Sequence, residues 1–244
     1  MPWQTQWITW NLVQWDMFHL ALMPGNAWPL VGTSIGPYQS SEELLGSSLA
    51  KRQPRLTEGL CLGAVMRWLR LLSDHPAESA LDRLNRLEAD PKAAAAIQFL
   101  HIETRPNLAD PLHDMRFYGE YLESLSRVSR LQFDFVFSIN FPSSIGGSIQ
   151  FMNRLERNRV YFLRLHGIKL ESMMPCLVGH ALAMATIADH KTRVFDVKFG
   201  EFEISEHELE RFLSDYWQAE ASLGHSYQEL AAYEVRKSSL PNSR

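Results

Sequence analysis

Cysteine is scarce in this chain of 244 residues, which contains only Cys61 and Cys176. Two cysteines cannot build a disulfide framework, and because no CxxC pair is present, the sequence lacks a common motif of zinc and dithiol redox sites. Such sparse use is typical of a reducing compartment, in which a single thiol stays free. We therefore expect no structural metal, no catalytic metal and no bound cofactor.

Positive charge is missing from the start of the chain, where Lys51 is the first Lys or Arg. A secretory signal needs a positive segment before its apolar run, and a mitochondrial presequence needs arginines, so we expect neither. Long apolar runs are also missing, so no transmembrane segment is expected. We expect a soluble protein whose export would use a route without a classical signal.

The chain also lacks an excess or stripe of basic residues, with 24 basic and 28 acidic side chains and a formal net charge of -4. Because a protein that binds the phosphate backbone usually carries such a stripe, nucleic acid is not expected as a partner. The balance of 45% hydrophobic and 21% charged residues is that of an ordinary globular protein. The length suits one domain with elaborations.

The N-terminal segment 1–50 has a composition of its own, with five of the seven tryptophans of the chain and few charged residues. Two interpretations remain open for it. It is an irregular arm whose aromatic side chains pack onto the main domain, or a docking segment for a partner, since aromatic residues anchor interfaces. We divide the chain into this Trp-rich arm, a main domain at 51–235 and a flexible tail at 236–244.

Within the main domain, helical patterns come first and strand patterns follow. The first helix is predicted from Thr57, which can cap it, and Leu60, Ala64 and Trp68 fall on one face. Further helices are predicted at about 76–89, 91–102, 110–131, 143–154 and 205–221, and strands at 133–141, 160–165, 179–187 and 193–197. Helices followed by an antiparallel sheet predict an α+β fold rather than alternating βαβ units.

Cys61 is the candidate nucleophile, because it lies near the start of the first predicted helix, after Gly59. The positive end of a helix favours a thiolate over a thiol. Cys176 lies between Pro175 and Leu177 with no helix start beside it. The position of Cys61, and not its residue type, makes it a candidate.

His180 and Asp196 are the candidate partners of this cysteine. His180 begins the first strand of a predicted hairpin, and Asp196 lies near the end of the second strand. A short turn at 188–192 joins the strands, so the two side chains are expected to be neighbours across the hairpin. A thiol, an imidazole and a carboxylate that orients the imidazole are the components of a cysteine protease site.

Three segments resemble the YopT/AvrPphB family of papain-like effector cysteine proteases. They are Gly59-Leu60-Cys61, Gly179-His180-Ala181 and the run Asp196-Val-Lys-Phe-Gly-Glu-Phe202, in the order Cys, His, Asp. The resemblance covers roughly 55–220. It implies a papain-like fold, in which an N-terminal helical half carries the catalytic cysteine on a helix N-terminus and a C-terminal antiparallel sheet carries the histidine and the aspartate. It also implies Cys61, His180 and Asp196 as the catalytic residues.

The resemblance implies a function as well. The main domain would be a thiol protease, a hydrolase that acts as a secreted virulence effector or toxin on a protein of a target cell. The chain would be made in the bacterial cytoplasm and delivered by a specialised secretion system. A secretion chaperone, a delivery component and an immunity protein are the candidate further partners.

The chain departs from the family pattern at two places. Papain-like enzymes add an amide side chain, a few residues before the cysteine, to the backbone donors that stabilise the oxyanion. Here Arg55, Leu56 and Thr57 occupy the nearest positions, and the closest amide is Gln53. Our hypothesis is that Gln53 fills this role through a longer loop. In the family, the loop at the catalytic aspartate often reads Asp-Pro-Asn. In this chain the corresponding sequence is Asp196-Val-Lys.

Other chemical motifs are incomplete. Residues 146–150 lack the final glycine of a GxSxG elbow, and His207-Glu208 lacks the second histidine of an HExxH zinc motif. His166 and His190 are interpreted as surface or structural residues, and the acidic stretch Glu201–Glu210 as a solvated loop and helix face. Two functional alternatives remain open: deamidation or transamidation of glutamine by the same triad, and a catalytically impaired papain-like module that binds a partner.

Overall fold

The computed structural model describes residues 33–34, 61–104, 115–171, 174–187 and 190–238. Most of the predicted arm, the predicted helix start at Thr57, the candidate amide Gln53 and the end of the predicted tail lie outside these residues. The elements in chain order are β1 (Thr33–Ser34), α1 (Cys61–Asp74), α2 (Ala80–Ala89), α3 (Pro91–Thr104), α4 (Met115–Ser129), β2 (Leu131–Asn140), α5 (Ile145–Arg154), β3 (Val160–Glu171), β4 (Met174–Ile187), β5 (Lys191–Asp196), β6 (Gly200–Ser205), a 3-10 turn (Glu206–Glu208), α6 (Leu209–Ser222) and β7 (His225–Lys237).

The seven strands among the described residues form one sheet in the order β1-β6-β5-β4-β3-β7-β2, and every neighbouring pair is antiparallel. Helices α1 to α4 precede most of this sheet along the chain. The prediction of an α+β fold with an antiparallel sheet is therefore confirmed. None of the described helices combines the length and the apolar character needed to cross a membrane.

Each face of the sheet buries its own hydrophobic core, because successive side chains of a strand point to opposite faces. On β4, Ala181 and Ala183 belong to the core that contains α1, whereas Leu182 and Met184 belong to the core that contains α5 and α6. Small residues on one face allow α1 to approach the sheet closely. This two-sided burial explains why β4 is almost entirely apolar instead of alternating with polar residues.

The central strands are longer than predicted. The strand expected to close at His166-Gly167 continues to Glu171, and β4 begins at Met174 rather than at Gly179. Gly167 does not end the strand because it serves another purpose. A Cβ atom there would lie 2.2 Å from the carbonyl oxygen of Ser226, so only glycine allows β3 and β7 to come this close at their β-bulge.

Three strands were not predicted at all, and the first is the two-residue strand β1, which pairs with β6. Strand β7 follows α6 and pairs with both β3 and β2, although its sequence contains several charged residues. Strand β6 occupies the first part of the acidic stretch Glu201–Glu210, and Glu201 is buried, with 1% of its surface exposed. The expectation of a solvated loop was therefore wrong for this part. The carboxylate of Glu201 can be buried because an ion pair, described below, compensates its charge.

Candidate functional site

The first turn of α1 holds Cys61 and is fixed against α3. A Cβ atom on Gly63 would lie 2.0 Å from the carbonyl oxygen of Ala94, so glycine is required for this close packing. The backbone N–H of Gly63 donates to Gln98 Oε1 (3.1 Å). This bond satisfies one of the N–H groups that a helix leaves without an intrahelical acceptor at its start. Cys61 itself is the first described residue of α1 and is buried.

His180 lies where β4 extends beyond its pairing with β5. The hairpin pairs Ile187 with Lys191 and ends with Ala183 opposite Phe195, three residues after His180. Asp196 is the last residue of β5. The Nε2 atom of His180 lies 2.8 Å from Asp196 Oδ2, and both side chains are almost completely buried. The Cys61 side chain acts on the same ring, because it helps to raise the pKa of His180. The structure therefore brings together the three residues singled out in the sequence.

Both oxygens of the Asp196 carboxylate accept hydrogen bonds from groups other than His180. The backbone N–H of Lys198 donates to Oδ1 (2.6 Å), which is an Asx-type turn that leads the chain from β5 towards β6. The hydroxyl of Tyr216, on α6, donates to Oδ2 (2.9 Å), the oxygen that also faces His180. With this many donors the carboxylate has little freedom to rotate. The imidazole that it contacts is held in turn.

The electrostatics of this group favour a charged histidine. Burial alone would lower the pKa of His180, but the neighbouring Asp196 carboxylate outweighs burial and raises the pKa to about 9, even though the Lys198 charge opposes it. The Cys61 side chain acts in the same direction as Asp196, although its effect on the pKa is smaller. At neutral pH His180 is therefore an imidazolium.

The fold is similar to a solved structure. The crystal structure of the Pseudomonas avirulence protein AvrPphB superposes with a TM-score of 0.55 at 14% sequence identity. The match covers 74% of this chain and 93% of that chain. At this identity the likeness shows the fold alone. No protein-family model matches the sequence, and no curated protein matches it at a significant level.

A second buried carboxylate, Glu220 on α6, lies beside the first. Both of its oxygens accept from Lys198 Nζ (2.9 and 3.0 Å), and Oε2 also accepts from the Tyr227 hydroxyl (2.8 Å) and from His225 Nδ1 (2.7 Å). Burial acts to raise the pKa of Glu220, but the charge of Lys198 and the bond from His225 hold it well below its usual range. Glu220 is therefore ionised.

Sequence reasoning missed Glu220, although a signal for it exists. Phe212, Tyr216 and Glu220 are spaced four residues apart on the predicted last helix and so share its apolar face. A glutamate on the buried face of a helix needs a cationic partner, and Lys198 is that partner. The ligand atoms of Glu220, His180 and Asp196 lie within 4.8 Å of one another, as in a metal site. The ammonium group of Lys198 already supplies the positive charge there, so these residues do not fit a metal ion.

Glu201, from the Gly-Glu-Phe segment of the family resemblance, anchors the helix of the candidate nucleophile. Its carboxylate forms a buried ion pair with Arg83 (Nη2 to Oε1, 2.7 Å) and accepts from Trp68 Nε1 (2.6 Å). Trp68 lies two turns after Cys61 on α1 and stacks on Phe195 of β5. This contact joins α1 to the strand that ends in Asp196.

Proposed function

We propose that the chain is a papain-like cysteine protease in which Cys61 is the nucleophile, His180 the general acid and base, and Asp196 the residue that orients His180. The observation that carries the proposal is a buried imidazole that is hydrogen-bonded to a fixed carboxylate and whose pKa is raised further by a thiol in the first described turn of α1. Because Nε2 faces Asp196, Nδ1 is the ring nitrogen that serves the thiol.

The first half of the reaction forms a thioester. An imidazolium beside the sulfur and the positive end of α1 both stabilise the Cys61 thiolate. The sulfur attacks the carbonyl carbon of the scissile peptide bond, and the oxyanion is assigned to the backbone N–H of Cys61, since that of Gly63 is engaged by Gln98. The C–N bond then breaks, and His180 gives its proton to the departing amine.

The second half of the reaction hydrolyses the thioester. His180, now neutral, accepts a proton from water as the water oxygen attacks the thioester carbon. The carbon–sulfur bond breaks, the new carboxylic acid leaves, and the thiolate–imidazolium pair is restored. Asp196 stays ionised throughout and keeps the ring in register, as the acidic member of a catalytic triad does.

We further propose that this protease is an effector that cuts a protein of a target cell after delivery by a secretion system. Two independent observations support this role. The motifs around Cys61, His180 and Asp196 resemble an effector protease family, and the fold is similar to that of an avirulence protein. A secretion chaperone or an immunity protein would be a partner of such an effector.

The test compares the wild type with Cys61→Ala, and uses Cys176→Ala as the matched control. Each protein is expressed in candidate target cells, and cut proteins are identified from new N-termini by mass spectrometry. We expect cleavage and any toxicity to be lost in Cys61→Ala alone. Cleavage that survives this substitution refutes the assignment. Conversion of glutamine to glutamate without a cut would show that the same three residues catalyse deamidation.

A further inference from the structure

The candidate triad is surrounded by more buried charge than its chemistry requires. Asp196, Glu220 and Lys198 are all buried, and the carboxylates of Asp196 and Glu220 lie within 4.8 Å of each other and of the His180 ring. Two carboxylates at this separation repel each other strongly in a low-dielectric interior. Such an arrangement persists only if cations compensate it.

Lys198 connects the two carboxylates through different atoms. Its backbone N–H holds Asp196 Oδ1, and its side-chain ammonium holds both oxygens of Glu220. Lys198 lies in the turn between β5 and β6, whereas Glu220 lies on α6. The ion pair therefore connects the turn after β5, whose backbone holds the Asp196 carboxylate, to helix α6, which packs on one face of the sheet.

We propose that Lys198 and Glu220 are positioning residues for the Cys61–His180–Asp196 group, acting as a buried ion pair that fixes the Asp196 turn and balances the charge around the His180 ring. This inference rests on the proposed function of that group. It assigns roles to two residues that do not touch the reacting atoms.

The two members of the pair have opposite effects on His180. The positive charge of Lys198 lowers the pKa of His180, and the positive charge of His180 lowers the pKa of Glu220, so by reciprocity Glu220 favours the imidazolium. Among the described residues, the titratable groups that face this cluster are Cys61 from α1, Asp196 and Lys198 from the end of β5 and the turn after it, Tyr216 and Glu220 from α6, and His225 and Tyr227 from β7. Of these, Lys198 and Glu220 form a buried ion pair beside the ring.

The test measures the rate of Cys61 alkylation by iodoacetamide as a function of pH, with the modified peptide quantified by mass spectrometry. The wild type should show two steps, one as the thiolate–imidazolium pair forms and one as His180 loses its proton. Glu220→Gln should move the second step to lower pH by about one unit or more, because a negative charge near the ring is lost. Lys198→Met should move it to higher pH. The double variant should return it close to its wild-type position.

Glu123→Gln is the control, since it removes the same charge from an exposed pair with Arg127, and it should leave both steps unchanged. Unshifted steps in both single variants overturn the role of the pair while leaving the proposed protease intact. If neither single variant folds but the double variant does, the pair serves stability alone, which also overturns the inference. A wild-type Cys61 that reacts only near the ordinary thiol range, around pH 8.5, refutes the proposed function and the inference with it.

Discussion

The positive charge on His180 leads to a quantitative prediction about the stability of the protein. The variant Asp196→Asn tests it. The pKa of His180 is raised from 6.5 to about 9 in the folded protein, where burial opposes protonation and Asp196 overcomes it. The folded state therefore retains a proton that the unfolded state has lost between these values. Stability from this group is complete below pH 6.5 and is lost as the pH rises through 9, at about 1.4 kcal/mol per pH unit. The total is roughly 3 kcal/mol.

Asparagine has the shape of aspartate and can still accept the bond from Tyr216, but it lacks the charge that keeps His180 protonated. The free energy of unfolding of both proteins would be measured in urea at several values between pH 6 and pH 10. The difference between them should shrink as the pH rises, because only the wild type loses the His180 contribution. A difference that is constant with pH would refute the view that Asp196 holds His180 as an imidazolium.

Two further predictions concern the groups around the site. Tyr216→Phe removes one donor from Asp196 and should lower kcat about tenfold with little change in KM, since hydrogen bonds to charged groups contribute roughly 1.5–3 kcal/mol; a changed KM alone would contradict this role. Glu201→Gln leaves Arg83 buried without its counter-charge and should lower the free energy of unfolding by roughly 3–5 kcal/mol, measured by chemical denaturation. The double variant with Arg83→Met should recover part of that loss, and no recovery would contradict a direct pairing.

The sequence predicted the parts of the site that depend on local geometry. A cysteine in the first described turn of a helix, and an aspartate at the end of a strand whose hairpin partner carries a histidine, follow from spacing over a few residues. The candidate roles of Cys61, His180 and Asp196 nevertheless stay predictions until activity is measured. The Gln53 hypothesis also stays open, because that residue lies outside the described part of the chain.

The parts that were missed depend on contacts between distant segments. Glu201 is 118 residues from Arg83, and no local pattern shows that an acidic residue in a polar stretch will be paired inside the protein. Strand β7 was missed for the same reason, because it acquires its partners β3 and β2 only when the sheet assembles. Lys198 and Glu220 are closer in sequence, yet their meeting requires α6 to pack across the sheet.

The location of the candidate site explains why its residues are so far apart along the chain. Cys61 belongs to the core on one face of the sheet, whereas Tyr216, which holds Asp196, belongs to the core on the other face. They meet at the imidazole because β5 ends at Asp196 while β4 continues past His180, which opens the sheet at that point. Both layers must therefore be folded before thiol, imidazole and carboxylate come together. Any chemistry that needs all three groups is therefore expected to be absent from partly folded states of the chain.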